Sequence, residues 1–229
     1  MHSVSIETVM VGRIRPFGPN DEPSAIRKEP VGGPIYLGLT GVDGDEQAYH
    51  THGGPDKALL HYAAENYRIW HRFYAGFSLG RGGFGENIST VGMTEENVCI
   101  GDRYRIGESV VIEVSQPRQP CWKLGHNAGK REIPRLMQEH AFTGWYYRVV
   151  EPGNIHAGAL LTRTGRPHPD WTLSRIITGF YGAPMDRDFL TALTALSVLG
   201  REWRDLAQKR LDTGAVEDWD GRLYGPFLM

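Results

Sequence analysis

The stretch "YRIGESVVIEVSQ", residues 104–116, decides the architecture. Apolar and β-branched residues flank Gly107 and Glu108, so it reads as two strands folded back through a tight turn. Similar short runs lie on both sides. "SIETVMVGRI" (5–14) alternates imperfectly and reads as one strand; "GWYYRVVEPG" (144–153) is another, ending in a Pro-Gly turn; "GALLTRTGRP" (158–167) is the next. Most of the 29 glycines and 14 prolines fall before about residue 169 and cut that part into short elements. Many short strands with frequent turns favour a barrel or other closed sheet.

Two helical stretches interrupt the strands. In "AENYRIWHRFYAG" (64–76), Tyr67, Trp70, His71 and Tyr74 share one helix face, and the aromatic stripe Tyr67, Trp70 and Tyr74 is most simply core. "REIPRLMQEHA" (131–141) reads as a short helix that tolerates Pro134 in its first turn. After "RPHPDWTLS" the texture changes to three helices, "LSRIITGFYG", "DRDFLTALTALSVLG" and "REWRDLAQKRLD", with Phe189, Ala192, Leu193 and Leu196 at helical spacing. The expected class is mainly β within α+β: a β-barrel domain over 1–168, with flanking helices, and a small three-helix domain with its tail over 169–229.

Composition narrows the function. The chain of 229 residues is long enough to bury a core without staples, and 40% hydrophobic with 23% charged residues is ordinary for a globular protein. A formal net charge of −2 gives no reason to expect a nucleic-acid or anionic-membrane partner. Two cysteines make no disulfide framework, the N-terminus has no signal-peptide pattern, and no apolar run approaches a membrane span, so the cytoplasm is the expected compartment. There is no Walker A loop, G-x-S-x-G elbow, H-E-x-x-H helix or C-x-x-C pair.

Four stretches could carry chemistry. In "SQPRQPCWKLG" (115–125), Pro117 and Pro120 restrict the backbone around Cys121, while Arg118 and Lys123 favour a thiolate, which is both nucleophile and soft metal ligand. A half-buried cysteine beside two surface charges fits the same residues. Cys99, in an apolar stretch, reads as core. In "HTHGGPDKALLHY" (50–62), Gly53 and Gly54 permit close backbone approach and an anion nest, and Lys57 adds charge. On a strand His50 and His52 would share a face, a zinc pair with His61 or Asp45 as further ligands, but an H-x-H pair alone is a weak signal and a polar turn feeding a core strand is the simpler reading. "GGFGENIST" (82–90) offers Glu86 and Asn87, or is simply a tight turn, and Arg148 either points into a cleft or decorates its strand.

In this order, "GDEQAYHTHGGPDKALLHY", "FGENIST", "CIGDRYRIGESVVIEVSQPRQPCWKLG" and "GWYYRVVEPGNIHAG" resemble the MOSC domain family (molybdenum cofactor sulfurase C-terminal domain), closest to its bacterial YiiM-like branch. The C-terminal helices resemble the three-helix domain that follows MOSC in that branch, so the resemblance covers nearly the whole chain. One departure is the short "YHT" between "GDEQA" and "HGG", which touches Tyr49 and His50 but not His52. The resemblance implies a β-barrel that binds a pyranopterin molybdenum cofactor, with Cys121 as metal ligand and catalytic centre. Lys57, Arg118, Lys123 and Arg148 become candidates for phosphate or pterin contacts, Gly53 and Gly54 for backbone donors, and His52 and Asn87 for hydrogen bonds to pterin or oxo groups. The implied activity is two-electron reduction of small N-hydroxylated compounds, including hydroxylamino nucleobase analogues. With no flavin or haem motif, electrons are expected from a separate reductase. Two other readings stand beside it: a carrier holding the cofactor, or sulfur as a persulfide on Cys121, and a zinc hydrolase using His50, His52 and His61.

Overall fold

The computed structural model describes residues 3–225. Nine strands form the main sheet: β1 (Ser3–Ser5), β2 (Thr8–Gly12), β3 (Lys28–Pro30), β4 (Leu59–His61), β5 (Ile88–Ser89), β6 (Arg103–Ile106), β7 (Val110–Pro117), β8 (Trp145–Glu151) and β9 (Leu160–Gly165). Their order is β1-β9-β6-β7-β8-β4-β5-β2-β3, antiparallel except for the β4–β5 pair, and the sheet curls into a half-barrel. The β6–β7 hairpin forms as its residues dictate, with Gly107 at φ 59° in the turn and Tyr104 opposite Ile112. Smaller pairings, Ile35–Gly38 with Gly41–Val42 and Gly153–Ile155, and Arg15–Phe17 with Glu22–Ser24, flank it.

The N-terminal stretch is two strands, a correction to the single strand expected over 5–14. Ile6 is fully buried and donates its N–H to the Ala159 carbonyl, whereas Glu7 donates to the Ser89 carbonyl. The chain therefore changes partner between these residues, pairing with β9 at one side of the curl and β5 near the other. This link closes the half-barrel covalently where no strand ladder does, and it explains the broken alternation.

Every residue of β7 is buried. Its inward side chains, Val110, Ile112 and Val114, pack with Tyr104, Trp145, Tyr147 and Leu161. Its outer side lies beneath the C-terminal helices α4 (Leu173–Gly182), α5 (Arg187–Ala195) and α6 (Arg201–Thr213), whose Ile176, Phe180, Leu193 and Trp203 belong to the same continuous core. Burying each of Phe180 and Leu193 is worth roughly 1.5–3 kcal/mol in transfer free energy. Thr172 and Asp186 cap α4 and α5 by accepting the Arg175 and Phe189 N–H groups, and α6 stops at Gly214 in the left-handed conformation.

A second core gathers α1 (Ala64–Phe73), α2 (Trp122–Ala128) and α3 (Ile133–Glu139) around Tyr62, Tyr67, Trp70, Phe84, Leu124 and Met137. Tyr67 and Trp70 are buried as expected and Tyr74 packs half-buried against the same core, while His71 is exposed. Helix α2 lies in a segment that the sequence leaves unassigned, and a final short helix, α7 (Asp220–Tyr224), lies in the expected tail. Among the described residues no helix is long and apolar enough to cross a membrane.

Candidate functional site

The outer face of the β4–β8 pair forms the floor of a cleft. Leu60 and Tyr146 sit opposite each other in the ladder and both line it, because the pleat sends Trp145 and Tyr147 into the barrel and Tyr146 outward. The walls come from distant segments: Ser24 to Lys28, Glu46 to Ala48, His52 and Lys57, Gly85 and Asn87, and the loop 118–121 with Lys123. A register shift in β7 between Val114 and Gln116 marks a bulge at Ser115, just before the chain leaves the sheet for this loop.

Cys121 is half-buried on the cleft wall, extended (φ −127°, ψ 164°) immediately before α2. Arg118, 8% exposed, donates from Nη1 to the Phe84 carbonyl at 2.5 Å and from its backbone N–H to the Gly144 carbonyl. Lys123 donates to the Pro23 carbonyl at 2.8 Å and lies 4.6 Å from the Tyr49 ring centre; burial lowers its pKa while Cys121 and Glu22 oppose that shift. Lys57 bonds the Thr51 carbonyl at 2.6 Å and pairs with Glu202 of α6 at 2.5 Å. His52 keeps much of its surface exposed. Desolvation, and then the Arg118, Lys57 and Lys123 cations, still hold its pKa down at about 4, so the ring is neutral near pH 7.

The cleft thus brings together Cys121, His52, Lys57, Asn87, Arg118 and Lys123. Asn87 acts within it as a strut: its Oδ1 accepts from the Leu60 N–H, and its Nδ2 donates to the Met10 carbonyl and to Asp45. Gly53 and Gly54 lie between two short 3₁₀ turns, His50–His52 and Pro55–Lys57, outside the lining. Gly54, at φ 100°, provides the bend, and the Gly53 N–H closes back on the His50 carbonyl. Arg148 is also not brought to the cleft. It clamps Asp56 through Nε and Nη2, at 3.0 and 2.7 Å, and bonds Glu113 and the Val198 carbonyl through Nη1.

The histidine zinc set does not form. His50 and His52 lie in a 3₁₀ turn and not on a strand, while both ring nitrogens of buried His61 are engaged, by Tyr147 and Thr90 at 3.0 Å each. Burial holds the His61 pKa at about 3. Asp45 is tied to Lys28, and among the described residues no group of three His, Cys, Asp or Glu is placed to hold a metal ion.

Of the lining residues not singled out from the sequence, Lys28, Tyr146 and Gln119 matter most to the cleft's chemistry. Lys28 and Asp45 form an ion pair with side chains 5% and 4% exposed, and Asp45 also accepts the Gly12 N–H at 2.7 Å. Tyr146 could have been found from the alternation in "GWYYRVV". Gln119 carries an amide nitrogen shut off from solvent with no hydrogen-bond partner among the described residues.

Known proteins share this fold. The family model for the MOSC domain matches residues 48–162, and that for the YiiM-like 3-alpha helix domain matches residues 171–214. Protein YiiM of Escherichia coli (strain K12) is 40% identical over 220 residues, covering 95% of this chain and 97% of that one. A protein of Gibberella moniliformis named "Reductase" is 34% identical over 214 residues, 89% of this chain but 36% of the fungal protein. The crystal structure of YiiM from Escherichia coli superposes with a TM-score of 0.82 at 34% identity, covering 98% of this chain and all of that one. With a MOSC domain followed by a YiiM-like helical domain, and likeness to YiiM along nearly its whole length, the chain belongs to the MOSC domain family in its YiiM-like branch.

Proposed function

We propose that the cleft binds a pyranopterin molybdenum cofactor, with Cys121 as thiolate ligand, and that the protein reduces small N-hydroxylated compounds such as hydroxylamino nucleobase analogues. The observation that carries this reading is the donor set. One half-buried thiol shares a cleft with Arg118, Lys123 and Lys57, and with the buried, unpartnered amide of Gln119. A soft ligand beside concentrated positive charge and an orphaned donor fits an anionic, acceptor-rich group that carries a thiophilic metal. MOSC domains are associated with this cofactor, and the fungal relative's name supports a reductive activity.

When bound, the cofactor supplies two-electron chemistry at the N–O bond. The balance is R–NHOH plus two electrons and two protons giving R–NH₂ and water. The chain's own residues hold and orient. Cys121 anchors the metal; Arg118 and Lys123 offset anionic charge; Gln119 donates from its free amide. Neutral His52 offers a hydrogen bond at the mouth without adding a further charge. Electrons come from a separate reductase, the partner class this reading requires.

The test is molybdenum and pterin analysis of protein from a molybdate-supplemented, cofactor-competent host, wild type beside Cys121→Ser, followed by turnover of a hydroxylamino substrate with a chemical reductant. Serine is a harder and poorly ionised ligand, so near-stoichiometric metal is expected in wild type alone. Equal metal in both proteins overturns the ligand assignment. Loaded protein without turnover would instead make it a carrier.

A further inference from the structure

The loop that carries Cys121 poses a satisfaction problem. Its prolines fix the backbone but leave carbonyls that need donors where the loop is covered. Those donors come from the C-terminal helices. Trp203 of α6, fully buried, donates Nε1–H to the Pro117 carbonyl at 3.0 Å. Arg222 of α7 donates from Nη1 to the Pro120 carbonyl, the residue before the cysteine, and from Nη2 to Gln138 of α3 at 2.8 Å. The Gly200 N–H bonds the Ser115 carbonyl at 2.7 Å, where the loop leaves β7. Past the cysteine, the Trp122 ring lies so close to Gly225 that a Cβ there would collide with it. Glu202, the neighbour of Trp203, reaches Lys57 in the lining of the cleft.

Simple packing of a helical unit on a sheet would bury apolar surface without preference for these atoms. Here polar donors from α6 and α7 meet the carbonyls of both prolines that bracket Arg118 and Gln119. We propose that Trp203 and Arg222 are positioning residues for Cys121: by gripping the Pro117 and Pro120 carbonyls from outside, the C-terminal helices fix the direction in which the thiol faces the cleft. The helical domain is then part of the site's machinery, although α6 and α7 place no side chain in the lining beyond the reach of Glu202 to Lys57. This deepens the molybdenum reading, on which its functional meaning rests.

The test needs no cofactor. The full chain, made in a host unable to synthesise the pterin, is alkylated with iodoacetamide at neutral pH, and modification at Cys121 is followed by peptide mass; buried Cys99 reports any global opening. Arg222→Ala and Trp203→Phe are compared with Arg222→Lys, which keeps one donor, and with Leu193→Ala, which weakens the helical core without touching the loop. Each deletion is expected to raise the Cys121 rate about five-fold, the shift that follows from one lost hydrogen bond. Arg222→Lys should recover part of that change, and Leu193→Ala should leave Cys121 unchanged. Rates equal to wild type in both deletions overturn the proposal, as does a Leu193→Ala effect of the same size. Should Arg222→Ala not fold, Trp203→Phe and Arg222→Lys decide. Failure here leaves the metal-ligand reading standing, because that rests on the metal content of Cys121→Ser.

Discussion

Replacing Asp45 by Asn strands a buried amine at the edge of the cleft. Burial already lowers the Lys28 pKa, with Asp45 as the main opposing influence, helped by Glu86 and countered by Arg118. Asparagine keeps the shape of Asp45 and an acceptor for the Gly12 N–H, but removes the charge. Losing one partner of a buried pair costs about 3–5 kcal/mol. The amine limits that cost, because it can release its proton. From an ordinary pKa of about 10.4, deprotonation at pH 7 costs about 4.6 kcal/mol, and at pH 9 only about 1.9 kcal/mol. In the variant the unfolded chain binds a proton that the native state does not, so its stability rises with pH. Urea unfolding of wild type and Asp45→Asn should therefore show a deficit near 4 kcal/mol at about pH 7 that shrinks by up to about 2.7 kcal/mol at about pH 9. Lys28→Met should cost less, since Asp45 retains the Gly12 and Asn87 donors, and the double variant should recover most of the loss. A deficit below about 1 kcal/mol, or one equal at both pH values, would refute the reasoning by showing that water reaches the amine.

Further outcomes follow from local geometry. A Cβ on Gly179 would overlap the Phe189 ring between α4 and α5. Overpacking of about 1–3 kcal/mol should thus outweigh the helix-propensity gain of about 1 kcal/mol in Gly179→Ala, and Phe189→Leu should relieve it; a raised melting temperature in the single variant would contradict this. His61 should show no ring titration by NMR between about pH 8 and 5, since its pKa is about 3. Its unfolded form takes up a proton near pH 6.5, so this group lowers stability as pH falls from there towards 3. Glu95, raised to about 7 by burial, acts in the opposite direction: it favours the fold at low pH, an effect lost as pH rises from about 4.5 through 7. The two should offset each other between about pH 6.5 and 4.5, with acid unfolding setting in below, and Glu95→Gln should move the onset up towards about 6.5. An onset unmoved by that substitution would show that other groups govern acid stability.

Short-range signals carried much of the fold. The β6–β7 hairpin, β8, β9 and helices α4 to α6 each announce themselves through periodicity, turn residues and caps inside a dozen residues. The split at Ile6 and Glu7 was not legible, because it depends on which strands the two halves meet. Helix α2 was hidden by the prolines before it and by Gly125, whose missing Cβ admits the Lys130 carbonyl. In the cleft, Cys121, Arg118 and Lys123 come from one motif. Lys28 has no local mark at all and arrives only because β3 pairs with β2. Arg148 shares the outer face of β8 with Tyr146, yet lies one pleat beyond the cleft beside Asp56, a difference that the motif could not encode.

The position of Cys121 explains why the site depends on both halves of the molecule. Its loop leaves β7 at Pro117, in the core shared by half-barrel and helical domain, and enters α2, whose Leu124 belongs to the other core. The thiol therefore sits on the seam, and its direction depends on how the two cores are set against each other. The C-terminal helices span that seam: Trp203 is anchored in the first core, whereas Arg222 bonds Gln138 of α3 beside the second. The cations divide as well, since Lys123 lies in the first turn of α2 while Lys57 is held by Glu202 of α6. A cleft built this way keeps its thiol and its charges in register only while both cores and the helical bridge hold together. That dependence gives a physical reason for the helical domain to accompany the barrel as more than an appendage.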